Sequence, residues 1–153
     1  MKKIIFSFLF LGILFFTGCE EKTYDAYTND VTIDISGTWS ISKVLQNDVD
    51  ITTYFDFSSF GLTFNYESDT PSTFALTGDN IPFATLNTPV FSFTQGKWEF
   101  DNAMYPSEIS LKGTTDVKMK LVEPLTAAGN TRLVLEFNLG CGANEYVYEL
   151  QKK

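Results

Sequence analysis

Residues 133–139 read Leu-Val-Leu-Glu-Phe-Asn-Leu, and residues 146–150 read Tyr-Val-Tyr-Glu-Leu. In both stretches a large apolar side chain stands at every second position, which is the period of a β-strand with one buried face. Residues 140–144 include two glycines and connect the stretches as a short loop. The pattern predicts an antiparallel hairpin. Its inward side chains are Leu133, Leu135, Phe137, Leu139, Tyr146, Tyr148 and Leu150.

The same alternation recurs upstream from about Ile35, and no long window keeps a helical period. Turn residues separate the segments, and Gln95-Gly96 stands where a two-residue hairpin turn is expected. Eight or nine short strands of this kind predict an antiparallel meander, and closure into a barrel leaves no bare edge. We therefore predict an all-β barrel over residues 35–153.

The segment after the first strand departs from this alternation. Asp50 is a favourable helix N-cap, and Ile51, Tyr54 and Phe55 follow it at helical spacing, so a short helix is predicted. Such a helix would either cover one barrel end as a half-buried connection or act as a lid over an opening, because loops on rigid barrels often carry binding residues.

The chain begins with the features of an export signal. Lys2 and Lys3 precede an apolar stretch, residues 4–16, that is too short to serve comfortably as a permanent membrane helix. It closes on Phe16-Thr17-Gly18-Cys19, which resembles the bacterial lipobox. Phe16 replaces the usual leucine, as in the looser lipobox of Bacteroidetes.

The lipobox resemblance implies cleavage before Cys19, acyl chains on Cys19 and anchoring in the outer membrane. Residues 1–18 would then be the signal peptide, and the mostly polar residues 19–34 a flexible tether. Glu20 and Glu21 resemble the acidic export signal that sends Bacteroidetes lipoproteins to the cell surface, which favours a surface-facing orientation over a periplasmic one. Cys141 would be left without an intramolecular partner, as either a buried thiol or a site of intermolecular pairing.

Charge and composition limit the function classes. Without residues 1–18 the chain has nine basic and 19 acidic residues, a net charge of −10. This charge repels phosphate backbones and anionic headgroups, so we expect no nucleic-acid partner, and membrane affinity must come from the acyl chains. The chain has no histidine, the commonest general base and metal ligand, so we predict a protein that is not an enzyme and binds no metal or cofactor. Carboxylate-only hydrolysis of an envelope glycan is the remaining catalytic alternative.

Gly37-Thr38-Trp39 resembles the Gly-x-Trp motif of lipocalins, in which the tryptophan closes the barrel floor. Together with Asp50-Ile51-Thr52, residues 60–64, Trp98-Glu99-Phe100-Asp101 and Tyr105-Pro106, it makes residues 35–153 similar to the small lipocalin-like lipoproteins of Bacteroidetes. The resemblance implies a fold and a location rather than an activity.

Lipocalins often pack an arginine from a late strand over the motif tryptophan. The resemblance therefore implies that Arg132, the single arginine of the chain, lies over Trp39. The alternative is a solvated arginine at a strand end.

Aromatic residues are numerous, nineteen beyond residue 18, and most share the inward parity. They could fill the barrel interior or line a cavity, with tyrosine hydroxyls that orient a ligand. The candidate lining residues are Tyr54, Phe55, Tyr66, Trp98, Tyr146 and Tyr148.

These observations favour a lipid-anchored, non-catalytic binding module for a small apolar or sugar-like ligand. The alternative is an accessory subunit with a packed barrel that docks on an outer-membrane protein complex.

Overall fold

The computed structural model describes residues 32–78, 93–114, 116–139 and 144–153. The lipobox with Cys19, the tether up to residue 31, and Cys141 lie outside the described residues. The described strands are β1 (Gly37–Gln46), β2 (Val49–Asp50), β3 (Gly61–Glu67), β4 (Thr70–Thr77), β5 (Gln95–Phe100), β6 (Glu108–Lys112), β7 (Val117–Leu121), β8 (Arg132–Leu139) and β9 (Asn144–Lys152).

The strands form one antiparallel sheet in which each strand from β3 to β9 pairs with the next along the chain. β1 pairs with β3 on one side and with β9 on the other, which closes an eight-stranded barrel, and the two-residue β2 folds back on β1 as an extra strand. The predicted closed meander is confirmed. The all-β expectation holds because period-2 alternation fixes which face of each strand is buried.

The short helix predicted after β1 is only a 3-10 turn, Thr52–Tyr54. The Asp50 carboxylate accepts hydrogen bonds from the Thr52 backbone N–H at 2.9 Å and from the Thr52 hydroxyl at 2.6 Å. Thr52 also accepts a bond from the Val44 N–H, so the segment is tied to β1 instead of continuing as a helix. The helix was predicted wrongly because these local bonds compete with helical ones.

The barrel interior is filled by apolar side chains from every long strand. Ile33 is buried among them, so the packed domain includes a residue two positions before its predicted start at Ile35. The largest fully buried side chains are Trp39, Trp98, Phe64, Phe74, Ile35, Ile109, Leu111, Met119, Leu133, Leu135, Leu150 and Val44.

Gln95-Gly96 is not a hairpin turn, as the sequence suggested, but the start of β5. Gly96 lies opposite Phe74 of β4. A Cβ built on Gly96 would overlap the carbonyl oxygen of Lys112 and come 3.0 Å from the Phe74 ring. Glycine is therefore required by the close approach of two neighbouring strands rather than by a turn.

We expect Gly96→Ala to lower the free energy of unfolding by about 1–3 kcal/mol, because the added methyl must push β5 away from β6. Urea denaturation would measure the change. Gln95→Ala, at the exposed neighbouring position of the same strand, is the matched control and should change stability little. Equal stability of the two variants would contradict the close approach at Gly96.

Candidate functional site

Trp39 is fully buried at the end of the barrel where β1 begins. Its indole N–H donates to the Ile35 carbonyl at 2.9 Å, which fixes the segment that enters the barrel. The Lys152 ammonium lies 5.9 Å from the centre of the Trp39 ring, within the range of a cation–π contact. This barrel end therefore carries a cation over an indole.

The residue that supplies this cation was predicted wrongly. Arg132 lies on the outer face of β8, where its guanidinium pairs with Glu123 and, at 3.0 Å, with Glu149. The physical reason is strand parity: Leu133 faces the core, so its neighbour Arg132 must face outward, away from Trp39. Arg132 side-chain exposure of 44% is consistent with this placement.

The candidate lining residues lie in three separate places. Tyr146 and Tyr148 are buried in the interior, where the Phe137 ring lies 6.0 Å from Tyr146 and 4.9 Å from Tyr148. Burial raises the pKa of both tyrosines above the ordinary tyrosine value, because the apolar interior disfavours the charged phenolate. Tyr54 and Phe55 are 72% and 53% exposed on the segment between β2 and β3.

Tyr66 fastens the N-terminal segment to the barrel. Its hydroxyl donates to the Ile33 carbonyl at 2.8 Å and accepts from the Ile35 N–H at 3.1 Å. Burial raises the pKa of Tyr66 to about 12, because the partly buried site disfavours the charged phenolate. The Tyr66 hydroxyl, which the sequence analysis assigned to ligand binding, therefore has a structural role.

Trp98 borders a sizeable concavity. Its indole N–H donates to the Asn65 carbonyl at 3.0 Å, and its ring lies 4.7 Å from Phe64, 5.2 Å from Tyr66 and 5.1 Å from Phe100. The concavity has a volume of about 990 Å³ and runs between the β3–β4 hairpin and β5. We call it the seam groove. Its apolar lining includes Ile33, Pro71, Trp98, Phe100 and Met104.

The seam groove exists because two neighbouring strands separate. The β4–β5 pairing ends at Thr73 opposite Lys97, although β4 begins at Thr70 and β5 continues to Phe100. An irregularity in the β3–β4 register between Phe64 and Tyr66 coincides with the point of separation. An extra residue in one strand bends it and disrupts the ladder locally, which turns the start of β4 away from β5.

The loop between β5 and β6 forms a wall of the seam groove through Met104. Asp101 holds this loop: its carboxylate accepts bonds from the Ser107 and Glu108 N–H groups at 2.9 and 3.0 Å and from the Ser107 hydroxyl at 2.6 Å. These bonds to the charged form, led by that of the Ser107 hydroxyl, lower the pKa of Asp101 to about 2.

We expect Asp101→Ala to loosen this loop without unfolding the barrel. Because the pKa of Asp101 is depressed in the folded protein, its contribution is present above the ordinary aspartate pKa of 3.8 and is lost as the pH falls toward about 2. Hydrogen exchange should show faster exchange at Ser107 and Glu108 in the variant near neutral pH, where the wild type keeps these bonds. Unchanged exchange at both amides would contradict the role of Asp101.

Charged side chains surround the rim of the seam groove. Lys112 pairs with Asp116 at 2.8 Å and with Glu99 at 3.3 Å, and the hydrogen bonds to these two carboxylates raise its pKa. Lys97 also lines the groove, and among the described residues it has no salt-bridge partner. Glu67 and Asp69 lie at the hairpin tip.

Sequence reasoning missed Lys97, Pro71 and Met104 as site residues. Alternation shows which residues face the core, but it carries no signal for where two adjacent strands separate. The available signal was Pro71 itself, which the sequence places in the turn before Phe74, since a proline that lies in a strand is confined to strand edges and irregularities.

Comparisons with protein-family models, with curated proteins and with solved structures gave no match to this chain. Among residues 32–78, 93–114, 116–139 and 144–153, no helix has the length and apolar character needed to span a membrane. Within the same ranges, no three histidine, cysteine or acidic side chains group as metal ligands would.

Proposed function

We propose that this protein is a lipid-anchored lipoprotein of the outer membrane whose lipocalin-like barrel is a non-catalytic binding module, with the seam groove as its binding site. The observation that carries the proposal is the groove itself, a concavity of about 990 Å³ with aromatic and apolar walls and a charged rim. Binding sites usually combine an apolar lining with a few polar groups that orient the ligand.

The buried interior supports a site at the groove rather than inside the barrel. Tyr146, Tyr148 and Phe137 contact one another in the core, where a ligand would have to displace them. Protein interiors are packed as tightly as organic crystals, so such displacement would be costly. The seam groove instead offers Phe100, which is half-buried, and Met104, which is exposed, to a ligand from solvent.

The position of the groove fits attachment through Cys19. Thr32 lines the groove and follows Cys19 by thirteen residues. A chain of that length that behaves as a random coil spans roughly 20 Å. An acylated Cys19 would therefore hold the groove close to the membrane surface.

We expect Cys19→Ala to abolish acylation, because no other residue in the lipobox can form the thioether to the lipid. Metabolic labelling with a tagged fatty acid, followed by fractionation, would show an unlabelled protein that no longer sediments with membranes. Cys141→Ala is the matched control and should remain labelled. A label that persists in Cys19→Ala would rule out this anchor.

Native mass spectrometry of the full chain, purified from bacterial membranes in a mild detergent, tests the groove as a binding site. A bound mass should be present in the wild type and absent from Thr70→Trp, in which a large ring fills the groove. Thr73→Trp is the control, since Thr73 is exposed on the same strand and does not line the groove. A mass that persists in Thr70→Trp would place the ligand elsewhere.

The second candidate is an accessory subunit that docks on an outer-membrane protein complex. Val49, Tyr54 and Phe55 support it, because these large apolar side chains are all more than half exposed within seven residues of the chain. Exposed apolar patches often mark protein interfaces. Replacing all three with serine should release such a partner in a pull-down but leave the mass bound in the groove unchanged.

A further inference from the structure

The edge of β5 presents backbone groups to the seam groove. The Asp101 N–H donates to the Glu108 carbonyl at 3.1 Å, and Phe100 lies opposite Ile109. Along an antiparallel strand, the backbone N–H and C=O groups of successive residues point alternately toward the two neighbouring strands. The backbone groups of Glu99 and Asp101 therefore point toward β6. Phe100 and Trp98 therefore direct their backbone groups toward β4.

Beyond the last β4–β5 pair, two of these groups have no strand opposite them among the described residues. They are the Trp98 carbonyl and the Phe100 N–H, which follow the pair formed by Thr73 and Lys97. A carbonyl and an N–H two residues apart are the groups that one strand offers to the next. This short edge borders the groove on the β5 side.

Pro71 explains why the start of β4 does not pair with β5 along the seam groove. Ser68 and Asp69 have φ values of 50° and 62°, the two-residue turn in which Glu67 and Thr70 bond each other. Pro71 follows, so its backbone faces away from β3 and toward the groove, where it has a carbonyl but no N–H. At this position β4 therefore offers the groove one hydrogen-bond acceptor, the Pro71 carbonyl, and no donor. It cannot continue the β4–β5 hydrogen-bond ladder.

We propose that the seam groove binds an extended peptide segment of a partner protein, which adds as a strand to the edge of β5 at Trp98 and Phe100. This inference rests on the proposed binding function and names the class of its ligand. Strand addition derives affinity from main-chain hydrogen bonds and specificity from pockets for alternate side chains. Phe100 and Met104 provide the apolar contacts for those side chains.

Charges at the two ends of the groove define the peptide further. Lys97 lies at the inner end, opposite Thr73, and Glu67 and Asp69 lie at the hairpin tip. A peptide with an acidic residue near Lys97 and a basic residue near the tip would match this arrangement. Such exposed charges contribute mainly to orientation and specificity rather than to affinity.

The test is selection of a displayed library of random seven-residue peptides on the full chain, purified in a mild detergent. We expect enriched peptides with alternating apolar residues, which fail to bind Thr70→Trp and bind Thr73→Trp normally. Each position of the best peptide is then N-methylated, which removes one N–H and keeps the side chain. Loss of affinity of at least about tenfold should be confined to the positions whose N–H reaches an acceptor of the groove, the Trp98 carbonyl on β5 or the Pro71 carbonyl on β4.

Variants of the edge complete the test. Phe100→Pro removes the seam-facing N–H and should abolish peptide binding, whereas Phe100→Leu keeps the N–H and an apolar side chain and should weaken binding by a much smaller factor. Because Phe100→Pro could also unfold β5, hydrogen exchange on the wild type gives an independent measurement, in which the Phe100 amide should become protected when the peptide binds.

Three outcomes would overturn the proposal. Enrichment of no peptide, while Thr70→Trp still loses the bound mass, would leave the groove as a binding site but exclude a peptide ligand. Unchanged affinity after N-methylation at every position would exclude strand addition. A variant that lacks residues 20–31 is compared with the full chain. If the peptides bind only to this variant, the groove of the full chain is occupied by its own N-terminal segment and not by a partner.

Discussion

Trp39→Ala should lower the free energy of unfolding by about 3–5 kcal/mol, the largest loss we expect from a single substitution in this domain. Trp39 has no exposed surface, so its removal leaves a cavity at the end of the barrel. The variant also loses the indole bond to the Ile35 carbonyl and the contact with Lys152. Small domains are stable by about 5–15 kcal/mol, so much of the barrel's stability depends on this side chain.

Two controls separate these contributions in thermal and urea denaturation. Trp39→Phe keeps most of the packing but removes the N–H, and should cost about 0.5–1.5 kcal/mol beyond the volume change. Lys152→Met removes the charge over the ring, and should cost less because Lys152 is exposed. A melting temperature of Trp39→Ala equal to that of the wild type would show that Trp39 does not support the core.

Trp98→Ala should have an effect of similar size, about 3–5 kcal/mol, because Trp98 is buried against three other aromatic rings. It should also change the seam groove, whose wall it forms. Its indole bond to the Asn65 carbonyl joins β5 to β3 at the point where the β3–β4 register is irregular. Removal of the ring therefore destabilises both the core and the binding site.

Trp98→Phe and Phe100→Ala are the matched controls for Trp98. Trp98→Phe keeps an aromatic ring in the core, so it should be much closer to the wild type in urea denaturation. Phe100 is only half-buried, so its truncation should cost less than that of Trp98. If Trp98→Ala were no less stable than Phe100→Ala, the buried position of the Trp98 ring would be contradicted.

Several features of the fold were predictable from local sequence. Leu133, Leu135 and Phe137 alternate with outward residues on β8, and Tyr146, Tyr148 and Leu150 do so on β9. This alternation is enough to predict the hairpin, because a slip of one residue would expose the whole apolar set. Repetition of the pattern along the chain then predicts a meander, and the cost of bare edges favours closure.

The cation–π contact with Trp39 at the barrel end was only partly predictable from the sequence. That a cation lies over Trp39 was expected from the lipocalin resemblance, but the residue is Lys152 and not Arg132. The alternation of β8, in which Leu133 faces the core, is enough to place its neighbour Arg132 on the outer face. Identifying Lys152 required the β1–β9 register, in which Trp39 lies directly opposite it. That register follows from closure of the sheet and from no local pattern.

The role of Gly96 also could not be predicted from local sequence. Gln95-Gly96 has the composition of a turn, yet Gly96 is a strand residue whose missing side chain makes room for Lys112 and Phe74. A dipeptide cannot distinguish a glycine needed for its backbone angles from one needed for space, because the crowding atoms come from other strands.

The sequence by itself determined the strand alternation, the closed antiparallel meander and the acidic, histidine-free character of the chain, because each of these depends on residue type and near neighbours. Only the tertiary structure decided which cation meets Trp39, which aromatic residues are core and where a ligand could bind. The seam groove depends on a register irregularity in β3 and β4, on Pro71 and on a loop held by Asp101. These residues are distant in sequence, so their effect exists only once the strands are side by side.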